Sequence, residues 1–378
     1  MTALGMLKSR PTRSLLILVA FVAPHGGLHD HVEAQAGAAK ASGWSVTIAC
    51  PPGEWAEKMG SNYHVLALDF DRTSEAGNRI LAVGGFDMVH THPYRSRKVA
   101  LRVARELAVP LIGTYHNPRL DQLDAHKDSF SAVVAVSDSI RRSLIKDAGI
   151  QPSKVFVIPN GVDTKVFQPR KKSININKTI FIITRLDRDK KLITDIVEET
   201  FEILKNSPHR WPKINWELAG DGTEYRRFNA IAGSVNDALG RQAIRLRGWL
   251  DPASIAIQAA RSSVVIAPGR SALEGMACGV PTIALGSRGY VGLIDSELAL
   301  AGLDENFGSL ETGLENYTHG RMARDIDTAL SGSNSDHLSY LGRAIVAGRD
   351  QNLVDGQYQR LWELVYAMRG GGSLNDQG

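Results

Sequence analysis

Two cations stand five positions apart in the stretch "TRLDRDKK", Arg185 and Lys190, between an apolar run and a helical one. A guanidinium fork and a point ammonium at a strand end suit a diphosphate. Asp187 and Asp189 lie between them and offer a plainer alternative, ion pairing on a solvated face. "APGRSALEGMACG" supplies a second anion-friendly place. Gly269 and Ser271 open a helix whose unpaired N–H groups attract phosphate oxygens, and Arg270 can add a charge. Glu274, one turn on, can accept two hydroxyl hydrogen bonds, as a ribose would offer. An ordinary helix start, with Glu274 favoured by the helix dipole, is the competing reading.

Glycines mark other strand ends. Gly26 and Gly27 follow "SLLILVAF", and Gly220 and Gly222 follow "INWELA"; such turns let backbone approach a phosphate or sugar. A G-x-G-x-x-G spacing is absent, so the dinucleotide fingerprint is not met. His116 closes "PLIGTYH" on the same side as Gly26 and Gly27, where it could hydrogen-bond a ligand. His90 and His92 close "DMVHTH" and are weaker candidates. With no HExxH and only i, i+2 or distant spacings, no metal site is expected. "DFD" at 69–71 is read as a solvated turn rather than a carboxylate pair.

These residues need a scaffold that puts several strand ends side by side. Short β-branched runs alternate with helical stretches of 10–15 residues, the pattern of a parallel sheet with right-handed crossovers. The charged, Asn-rich stretch after "VIPNGVD" breaks the rhythm, which then restarts. The expectation is α/β: two tandem Rossmann-like, doubly wound parallel-sheet domains facing across a cleft. The boundaries are 1–165 for the first domain, 166–178 for a linker and 179–345 for the second. A C-terminal helix at 346–368 packs on either domain, with the first preferred, and 369–378 is a flexible tail. Ligands of such sheets lie outside the C-terminal strand ends at the switch point.

Bulk properties narrow the class. A chain of 378 residues is too long for one core. A net charge of +4 suits an anionic ligand or membrane surface without demanding nucleic acid, and no nucleic-acid-binding pattern accompanies it. Cys50 and Cys278 sit in apolar runs without a CxxC and are read as buried small hydrophobes in a reducing, cytoplasmic compartment. "MLKSRPTRSLLILVAFVAP" has the look of a signal peptide, but its removal would delete the first strand, so a strand is expected. Arg95, Lys98, Arg102 and Arg105 fall at helical spacing and could form one basic stripe. The stripe is read either as a solubilising face or as a peripheral contact with anionic membrane at the inner leaflet.

Taken in order, "GTYH", "VVAVSDSIRRSL", "VIPNGVDTKVF", "TRLDRDKK", "LAGDG" and "LEGMACGVPTIALG" resemble the GT-B glycosyltransferases of family 4, over nearly the whole chain. The resemblance implies a retaining, metal-independent transferase that takes a nucleotide sugar, UDP- or GDP-linked, as substrate and uses no cofactor. The acceptor would be a glycan, a lipid-linked or a small molecule, in polysaccharide or glycoconjugate synthesis. Arg185 and Lys190 match the pair that holds the diphosphate, and Glu274 matches the second glutamate of the E-x7-E motif, which holds the ribose. Gly27 matches the glycine turn near the phosphates, and His116 the histidine that contacts the donor sugar. One departure is that Ile266 occupies the position of the first glutamate, in a loop shorter than the family's usual turn. Arg270, Ser271 or loop amides could take part of its role. A nucleotide-sugar epimerase or phosphorylase, and a non-catalytic sugar-nucleotide-binding subunit, are the alternatives.

Overall fold

The computed structural model describes residues 13–22, 26–117, 119–120, 122–170, 178–308 and 317–370. Most of the expected linker (171–177) and of the tail (371–378) lies outside the described residues. The chain divides into two compact units. The first takes residues through Ala135, then Arg141–Ile158, then residues from Asp355 on; the second takes Val136–Ile140 and Pro159–Val354.

The first unit is built on a seven-stranded sheet of β1 (Ser14–Val19), β2 (Ser45–Cys50), β3 (His64–Ala67), β4 (Met88–His92), β5 (Leu111–Tyr115), β6 (Ala132–Ala135) and β7 (Val155–Val157). Their order is β3-β2-β1-β4-β5-β6-β7, with every pairing parallel. The leader-like run is an interior strand, between β2 and β4: Leu15 to Val19 are all fully buried, as expected of a strand covered on both faces. The helices of this stretch are α1 (Gly27–Ala41), α2 (Glu54–Gly60), α3 (Thr73–Val83), α4 (Arg97–Glu106) and α5 (Asp138–Lys146).

The second unit carries β8 (Thr179–Ile183), β9 (Asn215–Ala219), β10 (Ile244–Gly248), β11 (Val264–Ala267), β12 (Thr282–Leu285) and β13 (Tyr290–Leu293). Their order is β10-β9-β8-β11-β12-β13. Five strands are parallel, but β13 runs antiparallel to β12, a departure from the all-parallel expectation. The cause is the short connection between them, since a parallel return needs a crossover of a dozen or more residues. Alternation along β8 and β11 divides the core between the two faces. Ile180, Ile182, Val264 and Ile266 join Phe201, Trp216 and Phe228, whereas Phe181, Ile183, Val265 and Ala267 join Leu273 and Phe307.

The surrounding helices are α6 (Lys191–Asn206), α7 (Tyr225–Leu239), α8 (Pro252–Arg261), α9 (Gly269–Ala277), α10 (Leu298–Asp304), α11 (Arg321–Leu330), α12 (Gly332–Ala347) and α13 (Gln351–Gly370). Helix α8 shows why a helix starts where it does. Asp251 accepts from Ser254 N–H at 3.0 Å, and Pro252 takes the first helical position, where no N–H is needed.

Helix α13 inserts aromatic residues into the first unit. Trp362 is fully buried and its indole N–H donates to His90 Nδ1 at 3.1 Å, while Gln359 donates to Ala38 O at 3.0 Å. Because indole can only donate, His90 Nδ1 is the acceptor and its proton sits on Nε2, 2.8 Å from Thr114 Oγ1. Trp362→Phe leaves that buried lone pair unmet. Chemical denaturation should read a loss of about 1–3 kcal/mol, and an unchanged midpoint would reject the assignment.

Cys50 and Cys278 are buried free thiols, and burial pushes each pKa up to about 12, the inert character expected of them. Among the described residues no helix is long and apolar enough to cross a membrane. The expected basic stripe is narrower than its spacing implied. Arg95 lies before the start of α4 and pairs with Asp71. Arg102 is folded onto α3, bonding Ser74 O at 2.8 Å and Asn78 Oδ1 at 2.6 Å besides Glu106. Only Lys98 and Arg105 of the four are exposed helical cations.

Candidate ligand sites at the strand ends of the two units

In each unit the strand order reverses between two neighbours, β1 and β4 in the first and β8 and β11 in the second. The candidate residues fall at the C-terminal ends of these strands and their immediate neighbours, where open α/β sheets bind ligands.

In the second unit three adjacent strands, β9, β8 and β11, contribute. The loop leaving β8 is laced to the turn leaving β9. Thr184 N–H donates to Ala219 O (3.1 Å), Leu186 N–H to Asp221 O (2.9 Å) and Glu224 N–H to Leu186 O (2.7 Å). The two segments approach so closely that a Cβ on Gly220 would lie 1.7 Å from Thr184 O, and one on Gly222 2.5 Å from Leu186 O. Both glycines have φ +150, a conformation that side chains disfavour. Gly220 and Gly222 are therefore required by the chain itself, a purpose beyond the ligand approach expected of them.

Arg185 issues from this loop. Its guanidinium bonds Asp187 Oδ2, and its other terminal nitrogen bonds Asp189 Oδ2 at 3.1 Å. Asp187 Oδ1 also accepts from Thr223 N–H at 3.2 Å, so one carboxylate joins the arginine to the glycine turn. The acid pairing that the sequence offered as an alternative is thus present. Lys190 Nζ stands 3.4 Å from Asp189, with only 19% of its side chain exposed. Burial lowers its pKa, opposed by the nearby Asp189 charge. Two cations and two acids here share one small, partly dry patch.

At the end of β11, Gly269 starts α9, but its N–H donates to Phe307 O at 3.0 Å. This differs from the expectation that Gly269 offers its amide to an anion; the following amides, of Arg270 and Ser271, belong to the same first turn. Ser271 is half-buried. Arg270 Nε lies 3.3 Å from Glu274 Oε1 without hydrogen-bond alignment, and Glu274 is 8% exposed. Ile266 sits inside β11, 1% exposed, in register with Ile182 and Ile283. A carboxylate there would face the core.

In the first unit, Gly26 and Gly27 join β1 to α1. Gly26 O accepts from His29 N–H (2.8 Å) and Asp30 N–H (3.2 Å), and a Cβ on Gly26 would touch Phe21 at 3.0 Å. Gly27 is exposed and a Cβ there would meet nothing within 4 Å. His116, half-buried just past β5, shares a hydrogen bond of 3.1 Å with His92 at the end of β4. His92 Nε2 is held by Gln35 Oε1 at 2.8 Å. Burial drives the pKa of His116 down to about 4 and that of His90 to about 3, and pulls His92 well below the usual imidazole range. All three rings are neutral at pH 7.

His31 on α1 completes the group. One nitrogen from each of His31, His92 and His116 lies within 4.8 Å of the others. No local spacing in the sequence announces this group of imidazoles, because 31, 92 and 116 sit on separate elements. Gln35, Tyr358 and Trp362, which tie the imidazoles into the core, carry no motif either.

Comparison with known proteins adds to this picture. Residues 25–166 match the model of Glycosyltransferase Family 4. A D-inositol 3-phosphate glycosyltransferase of Kineococcus radiotolerans is 25% identical over 259 residues, 60% of either chain. The chain spans about half to 60% of the length of the first curated relatives it matches. Sucrose-phosphate synthase from Thermosynechococcus elongatus superposes with a TM-score of 0.72 at 18% identity, covering 94% of this chain and 100% of that one. Anabaena HepE in complex with UDP and glucose gives 0.70 at 16% identity, covering 93% and 100%. The fold is therefore GT-B, two Rossmann-like α/β domains.

Proposed function

From its place among the family-4 glycosyltransferases of GT-B fold, we infer that this chain transfers a sugar from a nucleoside-diphosphate donor to a hydroxyl of an acceptor. The observation that carries the reading is that Arg185 and Lys190 follow β8 while the first turn of α9 follows its hydrogen-bonded neighbour β11, two adjacent strand ends of the second unit. Two cations beside a helix N-terminus fit a group that gains negative charge as it leaves.

In the reaction proposed, the bond from the anomeric carbon to the diphosphate oxygen breaks. A new bond forms from that carbon to the acceptor oxygen on the same face. The acceptor's proton passes to the departing phosphate oxygen, so no separate side-chain base is called for. Arg185 and Lys190 neutralise the diphosphate, exchanging Asp187 and Asp189 for phosphate oxygens. The amides of Arg270 and Ser271 add their dipoles. Glu274 takes the ribose hydroxyls once Arg270 turns from it toward the phosphates.

The Anabaena neighbour binds UDP, which favours a UDP-linked donor, and the Kineococcus relative's name favours an inositol phosphate acceptor. The test is incubation of the purified chain with UDP- and GDP-sugars and D-inositol 3-phosphate, following nucleotide release and the anomeric configuration of the product by NMR. Transfer with the donor's configuration kept is the expected result. Nucleotide-sugar binding without release or transfer would replace this reading by that of a binding subunit.

A further inference from the structure

We propose that His31, His92 and His116 form a three-imidazole binding site for a zinc-class divalent cation within the first unit. The resemblance sets His116 against a donor sugar, so a cation here would compete with that contact; the inference concerns binding alone.

The geometry carries it. A tetrahedral zinc held at about 2.0–2.1 Å by imidazoles sets their nitrogens roughly 3.3 Å apart and their ring centres roughly 5.2 Å apart. The three ring centres are separated by 4.8 Å (His31–His116), 5.4 Å (His92–His116) and 5.5 Å (His31–His92). His92 Nδ1 and His116 Nε2 lie 3.1 Å apart on the line joining ring centres 5.4 Å apart, so they point at each other; admitting an ion opens the pair by a few tenths of an ångström and swings each ring by roughly 35° toward a shared vertex.

The rings are also held from outside, as metal-bound histidines usually are. Gln35 Oε1 engages His92 Nε2 at 2.8 Å, which turns Nδ1 toward His116. Tyr358 Oη lies 3.3 Å from His31 Nε2 and fixes that ring edge-on to His116, at 87°. Each ring comes from a different element, α1, the end of β4 and the residue after β5, so the set is positioned by the sheet rather than by one mobile loop. Three nitrogens without a carboxylate select zinc, cobalt or nickel over magnesium or calcium. Three protein ligands leave one tetrahedral position for a water or another oxygen.

The untagged full chain, stripped with a chelator, is titrated with Co²⁺ and read by visible absorption. One equivalent should give the band of a tetrahedral cobalt site, and Zn²⁺ should bleach it. Gln35→Leu should weaken binding about 10–100-fold, and His31→Ala or His92→Ala by more than that. His64→Ala, at an exposed imidazole on β3, should leave binding unchanged. Should the ligand variants fail to fold, imidazole NMR of the wild-type chain decides: Zn²⁺ should move the ring signals of these three histidines together. No stoichiometric cobalt uptake, or a folded His31→Ala chain that binds like wild type, or zinc shifts confined to other histidines, would overturn the proposal.

Discussion

A chain carrying both Arg185→Ala and Lys190→Ala is expected to keep its melting behaviour within a few degrees and to lose turnover by about 10³–10⁵-fold. A single preorganised donor aimed at developing charge contributes about 10²–10³ in rate, and the two sites act on one diphosphate, so their losses combine without strict additivity. Arg185 already spans Asp187 and Asp189, and Lys190 touches Asp189. Removing both cations therefore leaves two acids facing an incoming dianion, which adds repulsion to the missing attraction. Single-turnover kinetics with saturating donor separates the chemical step from binding. Undiminished turnover in a folded double variant would dismiss the diphosphate assignment.

Gly220→Ala should be among the most damaging single changes in the second unit. The added methyl would stand 1.7 Å from Thr184 O, at φ +150, and no side-chain movement can relieve a backbone clash. A loss beyond about 4 kcal/mol is expected, the range reserved for such specific failures. It should be seen as collapse of the thermal transition or of soluble yield. Gly233→Ala supplies the control: it lies within α7, and a Cβ there meets nothing within 4 Å. That change should raise stability by about 0.5–1 kcal/mol. A well-folded Gly220→Ala chain would show that the loop of Arg185 does not depend on the turn of β9.

The two predictions meet at one place, and that place shows what a sequence can and cannot disclose. Glycines after an apolar run announced a tight approach, and the approach is there. Its partner, though, is the chain's own Thr184–Asp187 segment, which no local pattern could specify because it lies about 35 positions away. The α/β rhythm placed β1 in the sheet against the competing leader reading, because without that run the first helix would lack its strand, and the strand is buried on both faces. The same reasoning did not find β13, a four-residue strand whose direction is dictated by a short turn rather than by its own composition. Charge spacing grouped Arg95 with α4, yet Asp71 on a different segment captures it before the helix begins. Gln35 and Tyr358 were invisible for a related reason. Their importance arises from sharing an interior with imidazoles, and interiors are assembled from distant pieces.

Helix α13 has a consequence for how the molecule is made. The first unit holds Trp362 against His90, yet 272 positions of chain separate those partners. The intervening segment, Pro159–Val354, takes about 10–40 s to translate at the usual 5–20 residues per second. Through that interval the nascent amino-terminal sheet must wait with a hydrophobic face unfilled, while the later-made unit already has all its strands. Vectorial assembly is thus inverted here: the half born first is sealed last, and a ribosome stalled before α13 would display an incomplete core to chaperones.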